Sequence, residues 1–165
     1  MTIYYTIFDS PVGQLMLTAS DQALTGLYFS QGNKARVEPD QAWQPHAGRF
    51  DQAKRQLDEY FCGQRRAFDV VLAPSATPFQ ARVLRALQEI PYGQTRTYKQ
   101  IAQAVGSPKA MRAVGSANGN NPIAIFIPCH RVVGADGSLT GFGGGLEAKQ
   151  LLLALEGAAA GVSAL

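Results

Sequence analysis

At 165 residues, of which 46% are hydrophobic and 16% charged, the chain can bury a substantial core in one large domain or two small ones, and is too apolar to remain disordered. It has no run of the ~18 unbroken apolar residues that a membrane span needs, and its start, MTIYYTIFDS, lacks the cationic and apolar regions of a secretory signal. No membrane partner and a cytoplasmic location are therefore expected. The net charge of +3 is uneven: residues 1–75 carry seven Lys/Arg against eight Asp/Glu, residues 76–165 eight against four. Between Arg82 and Arg131, seven basic residues face the single acid Glu89, which points to a polyanionic partner for this half.

In chain order, the β-rich runs TIYYTIF, QLMLTA and LTGLYFS, separated by DSPVG and SDQ, predict an antiparallel meander. A polar loop follows from Gln31 to Gly48. In RFDQAKRQLDEYFCG, the spacing of Phe50, Ala53, Leu57, Tyr60 and Phe61 predicts a helix that stops at Gly63, with Cys62 packed at its end. AFDVVL reads as one more strand and APSAT as a linker. The chain thus divides into an N-terminal α/β domain over 1–73 and a second domain over 77–160.

The second half is more sharply punctuated. TPFQARVLRALQEIP opens on a capping box, Thr77 and Gln80, with Pro78 at the first helical position, and stops at Pro91. Thr97 and Gln100 open TYKQIAQAVG, ending at Gly106. Ser107 and Pro108 start SPKAMRAVGSANG, ending at Asn118-Gly119. Two short helices across a Gly-Ser-Pro turn have helix-turn-helix proportions. NPIAIFIP predicts a strand, Asp136-Gly137 a hairpin and TGFGGG a loop. LEAKQLLLALEG predicts a last helix capped by Gly157, before an Ala/Gly tail expected to fray. A strand and hairpin behind a helix-turn-helix suggest a winged variant.

Cys129 is the candidate nucleophile, because a thiolate is the softest nucleophile available here. A free thiol with a pKa of ~8.5 is mostly protonated at neutral pH and needs a base. His130 is the obvious supplier, yet neighbours on an extended strand point to opposite faces, so a bridging water or a turn after Pro128 is required. The motif alone fits a buried structural cysteine equally well. His46, Cys62 and the Cys129-His130 pair match no usual zinc spacing, so no metal is expected. No glycine-rich nucleotide fingerprint follows a strand, so no cofactor is expected. Arg112 lies mid-helix among Ala110, Met111, Ala113 and Gly115, small or flexible neighbours that would let a long cation approach DNA closely; a merely solvated arginine is the alternative.

FQARVLRALQEIPYGQTRTY, RAVGSANGNNP, IPCHRVVG and TGFGGGLEAKQLLLALEG resemble, in order and spacing, the motifs of the O6-alkylguanine-DNA alkyltransferases, also called methylated-DNA-protein-cysteine methyltransferases. The resemblance runs from Thr77 to Gly157. Before that only length and the strand-rich start are similar. It implies a strand-rich α/β domain packed on a winged helix-turn-helix-like domain, and repair of O6-alkylguanine, with O4-alkylthymine as a further candidate. The alkyl group would pass irreversibly to Cys129. His130 would be the base acting through a water, Glu156 its orienting carboxylate, and Asn121 would hold the turn around them. Tyr98 would donate to the ring nitrogen of the base. Arg112, flanked by Met111 and Ala113 on the recognition helix, would enter the minor groove of double-stranded DNA and fill the gap left by a flipped nucleotide. Asn118, Val132, Phe142 and Gly143 would line the pocket, and the protein would act as a monomer.

There are departures from the family pattern. Phe142 stands where many relatives carry tyrosine, Leu84 where bacterial members often carry tryptophan, and the residues of a zinc site found in some members are absent. The rival is a non-enzymatic module that recognises alkylated DNA. Such alkyltransferase-like proteins lack the acceptor cysteine, so an intact PCHR favours the enzyme. A regulator sensing alkylation through Cys129 would need segments this short chain lacks.

Overall fold

The alternating runs of the N-terminal half form the expected meander. In the computed structural model, which describes residues 1–32, 35–36 and 38–158, strands β1 (Tyr4–Phe8), β2 (Leu15–Ala19) and β3 (Leu24–Phe29) pair antiparallel in sequence order. The two-residue strand β4 (Gln44–Pro45), which falls in the region read as loop, adds parallel to β1 and gives the order β3-β2-β1-β4. As an interior strand β2 is buried along its whole length. A 3-10 turn (Ala47–Phe50) leads into α1 (Asp51–Phe61), which buries Ala53, Leu57 and Tyr60.

Two expectations for this half fail. AFDVVL is not a strand: it touches the sheet only through Leu24, whose N–H donates to Val71 O at 3.0 Å and whose carbonyl accepts from Ala73 N at 2.8 Å. Val71 faces solvent, and Pro74 follows without an N–H to donate, so the pairing stays an isolated bridge. Cys62 is exposed rather than packed. Two residues beyond Tyr60 it lies about 200° around the helix, off the apolar stripe.

The C-terminal half comprises α2 (Pro78–Gln88), α3 (Tyr98–Ala104), α4 (Met111–Gly119) and α5 (Leu146–Leu155), with a parallel pair β5 (Arg96–Thr97) and β6 (Val132–Val133). The box at Thr97 and Gln100 closes in both directions, at 3.1 and 2.8 Å. The box at Thr77 closes in one only. Thr77 Oγ1 accepts from Gln80 N, but the Gln80 side chain donates instead to Asn120 O at 3.1 Å, tying α2 to the end of α4. Ser107 and Pro108 do not start α4. They form a turn, closed by Ala110 N donating to Ser107 O at 2.9 Å, and the helix begins at Met111 without a side-chain cap. α4 packs on both α2 and α3, the helix-turn-helix arrangement.

NPIAIFIP is not a strand either. Residues 121–128 coil tightly, with isolated bridges Leu27–Ile123 and Ala124–Ile127, and Ile125 takes φ 73°. The turn at Asp136-Gly137 forms, with Gly134 N donating to Ser138 O at 2.9 Å, but no paired strands flank it among the described residues. The wing is thus a tight turn after β6. Gly157, with φ 71°, follows the C-cap of α5 as the stop signal expected there, and the tail expected to fray lies, from residue 159 on, outside the described residues.

One core joins the halves, running from Leu15, Leu27 and Leu57 to Leu87, Ile127 and Leu152. Two further links hold the glycine-rich loop. A Cβ on Gly144 would meet ring atoms of Phe29 at 2.8 Å, and one on Gly32 would meet Gly144 C at 2.4 Å. Both positions therefore need hydrogen in place of a side chain. Gly144→Ala is expected to push the loop off β3 and to cost about 1–3 kcal/mol as overpacking. Thermal unfolding should show a drop of several degrees; an unchanged midpoint would mean that the loop rides free of the sheet.

Candidate active site

Cys129 opens a single 3-10 turn, Cys129–Arg131, in which all three residues are buried. Its backbone N–H donates to Ile127 O at 2.8 Å, and Arg131 N donates to Pro128 O at 3.0 Å. This is the turn after Pro128 that the Cys-His adjacency requires. Asn121 gathers the preceding coil: its Nδ2 donates to Ile127 O at 2.8 Å and its Oδ1 accepts from Ile123 N at 3.1 Å. Leu27 N donates to Pro122 O at 2.9 Å and fastens the same coil to β3.

The thiol borders a cavity of about 350 Å³ lined by Phe29, Asn121, Pro122, Phe142 and Gly143, with Arg36 and Tyr28 from the N-terminal half. That size suits a small planar ligand. Burial pushes the Cys129 thiol above its ordinary value, while hydrogen bonding from Asn121 and the charge of Lys149 pull against it. At rest the sulfur is therefore a thiol that needs a base.

The base stands next to it. His130 is wholly buried and its Nε2 lies 2.8 Å from Glu156 Oε2. Burial holds the imidazole below its usual value despite the hydrogen bond and charge of Glu156, with Arg131 and Lys149 pushing the same way as burial. A neutral ring facing a carboxylate must carry its proton on Nε2. Nδ1 is then the acceptor, and it has no protein partner. The free lone pair is placed to take a proton.

Glu156, the C-cap of α5, is surrounded by donors. Arg131 binds it through Nε to Oε1 at 2.8 Å and through Nη2 to Oε2 at 2.9 Å, Tyr60 OH donates to Oε2 at 2.6 Å, and Gly93 N reaches Oε1 at 3.4 Å. Burial raises the carboxyl pKa, but the hydrogen bonds and charges of His130 and Arg131 outweigh it and hold the value at about 2. Sequence reasoning missed Arg131, Tyr60 and Lys149. Lys149 lies fully buried, donating to Val132 O at 2.7 Å and Thr140 O at 2.8 Å, with burial lowering its pKa to about 8. The only sequence signal was their place on apolar faces, which reads as packing for Tyr60 and as an anomaly for Lys149.

The remaining expected residues divide. Phe142 and Gly143 line the cavity; Asn118 and Val132 do not. Asn118 belongs to the inward face of α4 with Val114 and Ala117, so Gly119 and Asn120 take the cavity wall instead. Val132 is buried in β6 and presents its carbonyl to Lys149. Phe142 meets Phe29 edge-on at 5.4 Å, an apolar wall. Tyr98 is half-buried at the start of α3, with its hydroxyl 2.7 Å from Thr140 Oγ1, and does not border the cavity. Met111, Arg112 and Ala113 are exposed together on the first turn of α4.

A depressed carboxyl pKa makes stability depend on pH. Glu156 contributes fully above its ordinary value near 4.5 and loses that contribution as pH falls toward about 2, on the order of 3 kcal/mol in all. His130, held below 6.5, acts in the same sense, because the unfolded chain takes up the proton first. Urea midpoints should therefore fall steadily from pH 7 to pH 3. Glu156→Gln should be less stable at pH 7 and show a flatter fall below pH 4.5.

Comparison with known sequences gives two family matches, described as the 6-O-methylguanine DNA methyltransferase ribonuclease-like domain over residues 3–74 and its DNA binding domain over 78–158. The chain is 51% identical to a methylated-DNA–protein-cysteine methyltransferase of Methanosarcina acetivorans, over 94% of this chain and 99% of the relative. It is 51% identical to one of Mycolicibacterium paratuberculosis, over 93% and 92%. Among solved structures, Mycobacterium tuberculosis OGT in complex with DNA superposes with a TM-score of 0.87 at 47% identity, covering 98% of this chain and 99% of that one.

Proposed function

The chain belongs to the 6-O-methylguanine DNA methyltransferase family, and from that membership we propose that Cys129 repairs O6-alkylguanine in double-stranded DNA by taking the alkyl group permanently onto its own sulfur. One observation carries the assignment of the acceptor: a buried thiol at the edge of a cavity, next in sequence to a histidine whose Nε2 is held by a carboxylate and whose Nδ1 has no protein partner.

The chemistry follows from those groups. The thiol proton passes through a water to His130 Nδ1, and Glu156 stabilises the imidazolium that forms. The thiolate attacks the alkyl carbon. The C–S bond forms as the C–O6 bond breaks, and the electron pair leaves on the guanine, where a phenol such as Tyr98 can relieve it by donating a proton to the ring. The Tyr98 hydroxyl, 2.7 Å from Thr140 Oγ1, is free to donate to the base when Thr140 is the donor of that pair. The product is a thioether, which offers water no electrophilic carbonyl, so each molecule acts once. Every group of this relay comes from one chain, and a monomer suffices.

A stacked base is out of reach of a sulfur buried this way, so the nucleotide must be flipped. Arg112, exposed on the first turn of α4 with Ala113 and Met111, is suited to occupy the hole from the minor groove. The basic excess of this half, with Arg82, Arg85, Lys99 and Lys109 all exposed, supplies phosphate contacts.

Two experiments test the reading. Intact-protein mass after mixing with a methylated duplex should rise by one methyl group, located on Cys129 and never on Cys62, while Cys129→Ala should bind DNA without reacting. Repeated turnover, or repair by Cys129→Ala, would refute it. Arg112→Ala should slow repair of the duplex far more than reaction with the free modified base, since only the duplex incurs the few kcal/mol of flipping. Equal losses on the two substrates would place Arg112 in the pocket or the fold instead.

A further inference from the structure

The carboxylate that orients His130 is gripped from the N-terminal half as well as from its own. Tyr60, on α1 and 96 residues away in sequence, donates to Glu156 Oε2 at 2.6 Å, and this is the same oxygen that lies 2.8 Å from His130 Nε2. The orientation of the carboxylate does not need it, because the two-bond grip of Arg131 already fixes the plane. What the hydroxyl adds is a second strong donor on the oxygen facing the imidazole. Both side chains are sealed from solvent, so bulk water does not compete for this oxygen. Burial, then the charge of Glu156, raise the phenol's own pKa, so it remains a donor throughout.

We propose that Tyr60 is a positioning residue of the alkyl-transfer centre: by donating to the oxygen that holds His130, it draws charge from that oxygen and keeps the histidine available as a neutral base. The proposal rests on the reading of Cys129, His130 and Glu156 given above. The charged and titratable groups around His130 are Glu156 and Lys149 of α5, Arg131 and Cys129 of its own turn, and Tyr60 of α1. Arg131 and Lys149 oppose protonation and Glu156 favours it. Removing the phenol hydroxyl leaves Oε2 with one donor fewer and concentrates its charge on His130, which favours the imidazolium. A protonated His130 cannot accept the thiol proton.

Tyr60→Phe is a clean test, because the ring contacts with Phe61, Phe68 and Tyr92, at centroid separations of 5.5, 5.4 and 6.2 Å, do not involve the hydroxyl. Single-turnover transfer rates on a methylated duplex, measured from pH 6 to pH 9, should show the acid limb moved to higher pH. The variant should be about threefold or more slower at pH 6 and within about twofold of the parent at pH 8.5, with unchanged affinity for the duplex. The His130 imidazole, followed by NMR, should titrate at higher pH in the variant. An unchanged profile would overturn the proposal. So would an equal slowing at every pH accompanied by lower thermal stability, the signature of a packing role alone. Failure of the parent to label Cys129 at any pH would bring down the underlying reading, and the proposal with it.

Discussion

The buried carboxylate of Glu156 is the point on which the site depends. A carboxylate removed from water is costly unless its charge is matched and its lone pairs are occupied. Here the match comes from three places in the chain: α1 through Tyr60, the segment after α2 through Gly93, and the Cys129 turn through His130 and Arg131, while the end of α5 supplies the carboxylate itself. Arg131 also donates through Nη1 to Ile90 O at 2.7 Å, a second tie to the segment after α2. Truncating one member would leave a partner charge uncompensated in the interior. That is why residues distant in sequence share one geometry.

This matters because the segment bearing the nucleophile has little structure of its own. Residues 121–131 make no strand, only a tight coil, isolated bridges and one 3-10 turn. Ile125, a β-branched residue at φ 73°, holds a conformation that a free chain avoids. Its shape is held from within by Asn121 and from outside by Leu27 of β3 and by Glu156. The N-terminal half is thus part of the site: its sheet fastens the coil and backs the glycine-rich loop through Phe29, and its helix α1 brings Tyr60 to Glu156.

What could be read from the sequence follows from how local each signal is. Helices α2, α3 and α5 announce themselves because Thr caps, Pro at the first turn and Gly at the end act within a few residues. The Cys129–His130–Glu156 relay came from the family resemblance; the structure joins His130 to Glu156 and sets Cys129 in the same buried turn as His130. IAIFI and DVVL misled because apolar, β-branched runs satisfy strand propensity while the decision rests with partners the sequence does not name. α4 was started too early because Ser107-Pro108 can open a helix or close a turn with equal local sense. Tyr60, Arg131 and Lys149 were invisible as functional residues for a different reason. Their roles exist only in contacts across 9 to 96 positions.

Burying the nucleophile would be a handicap for most covalent catalysts. A hydrolase that forms a thioester must admit a second water on a productive line to the carbonyl, which keeps its cysteine near solvent. A protein whose product is a thioether has no second step to serve. Cys129 can therefore sit 4% exposed, beneath Phe142 and the glycine-rich loop, with its thiol disfavoured as an anion until the base is in place. The same burial guards the thiol against adventitious oxidation. The contrast within this chain is Cys62, which is exposed, carries no base, and lies outside the chemistry. Single use thus removes the need for an open site, and that freedom is compatible with keeping the Cys129 sulfur protonated and enclosed.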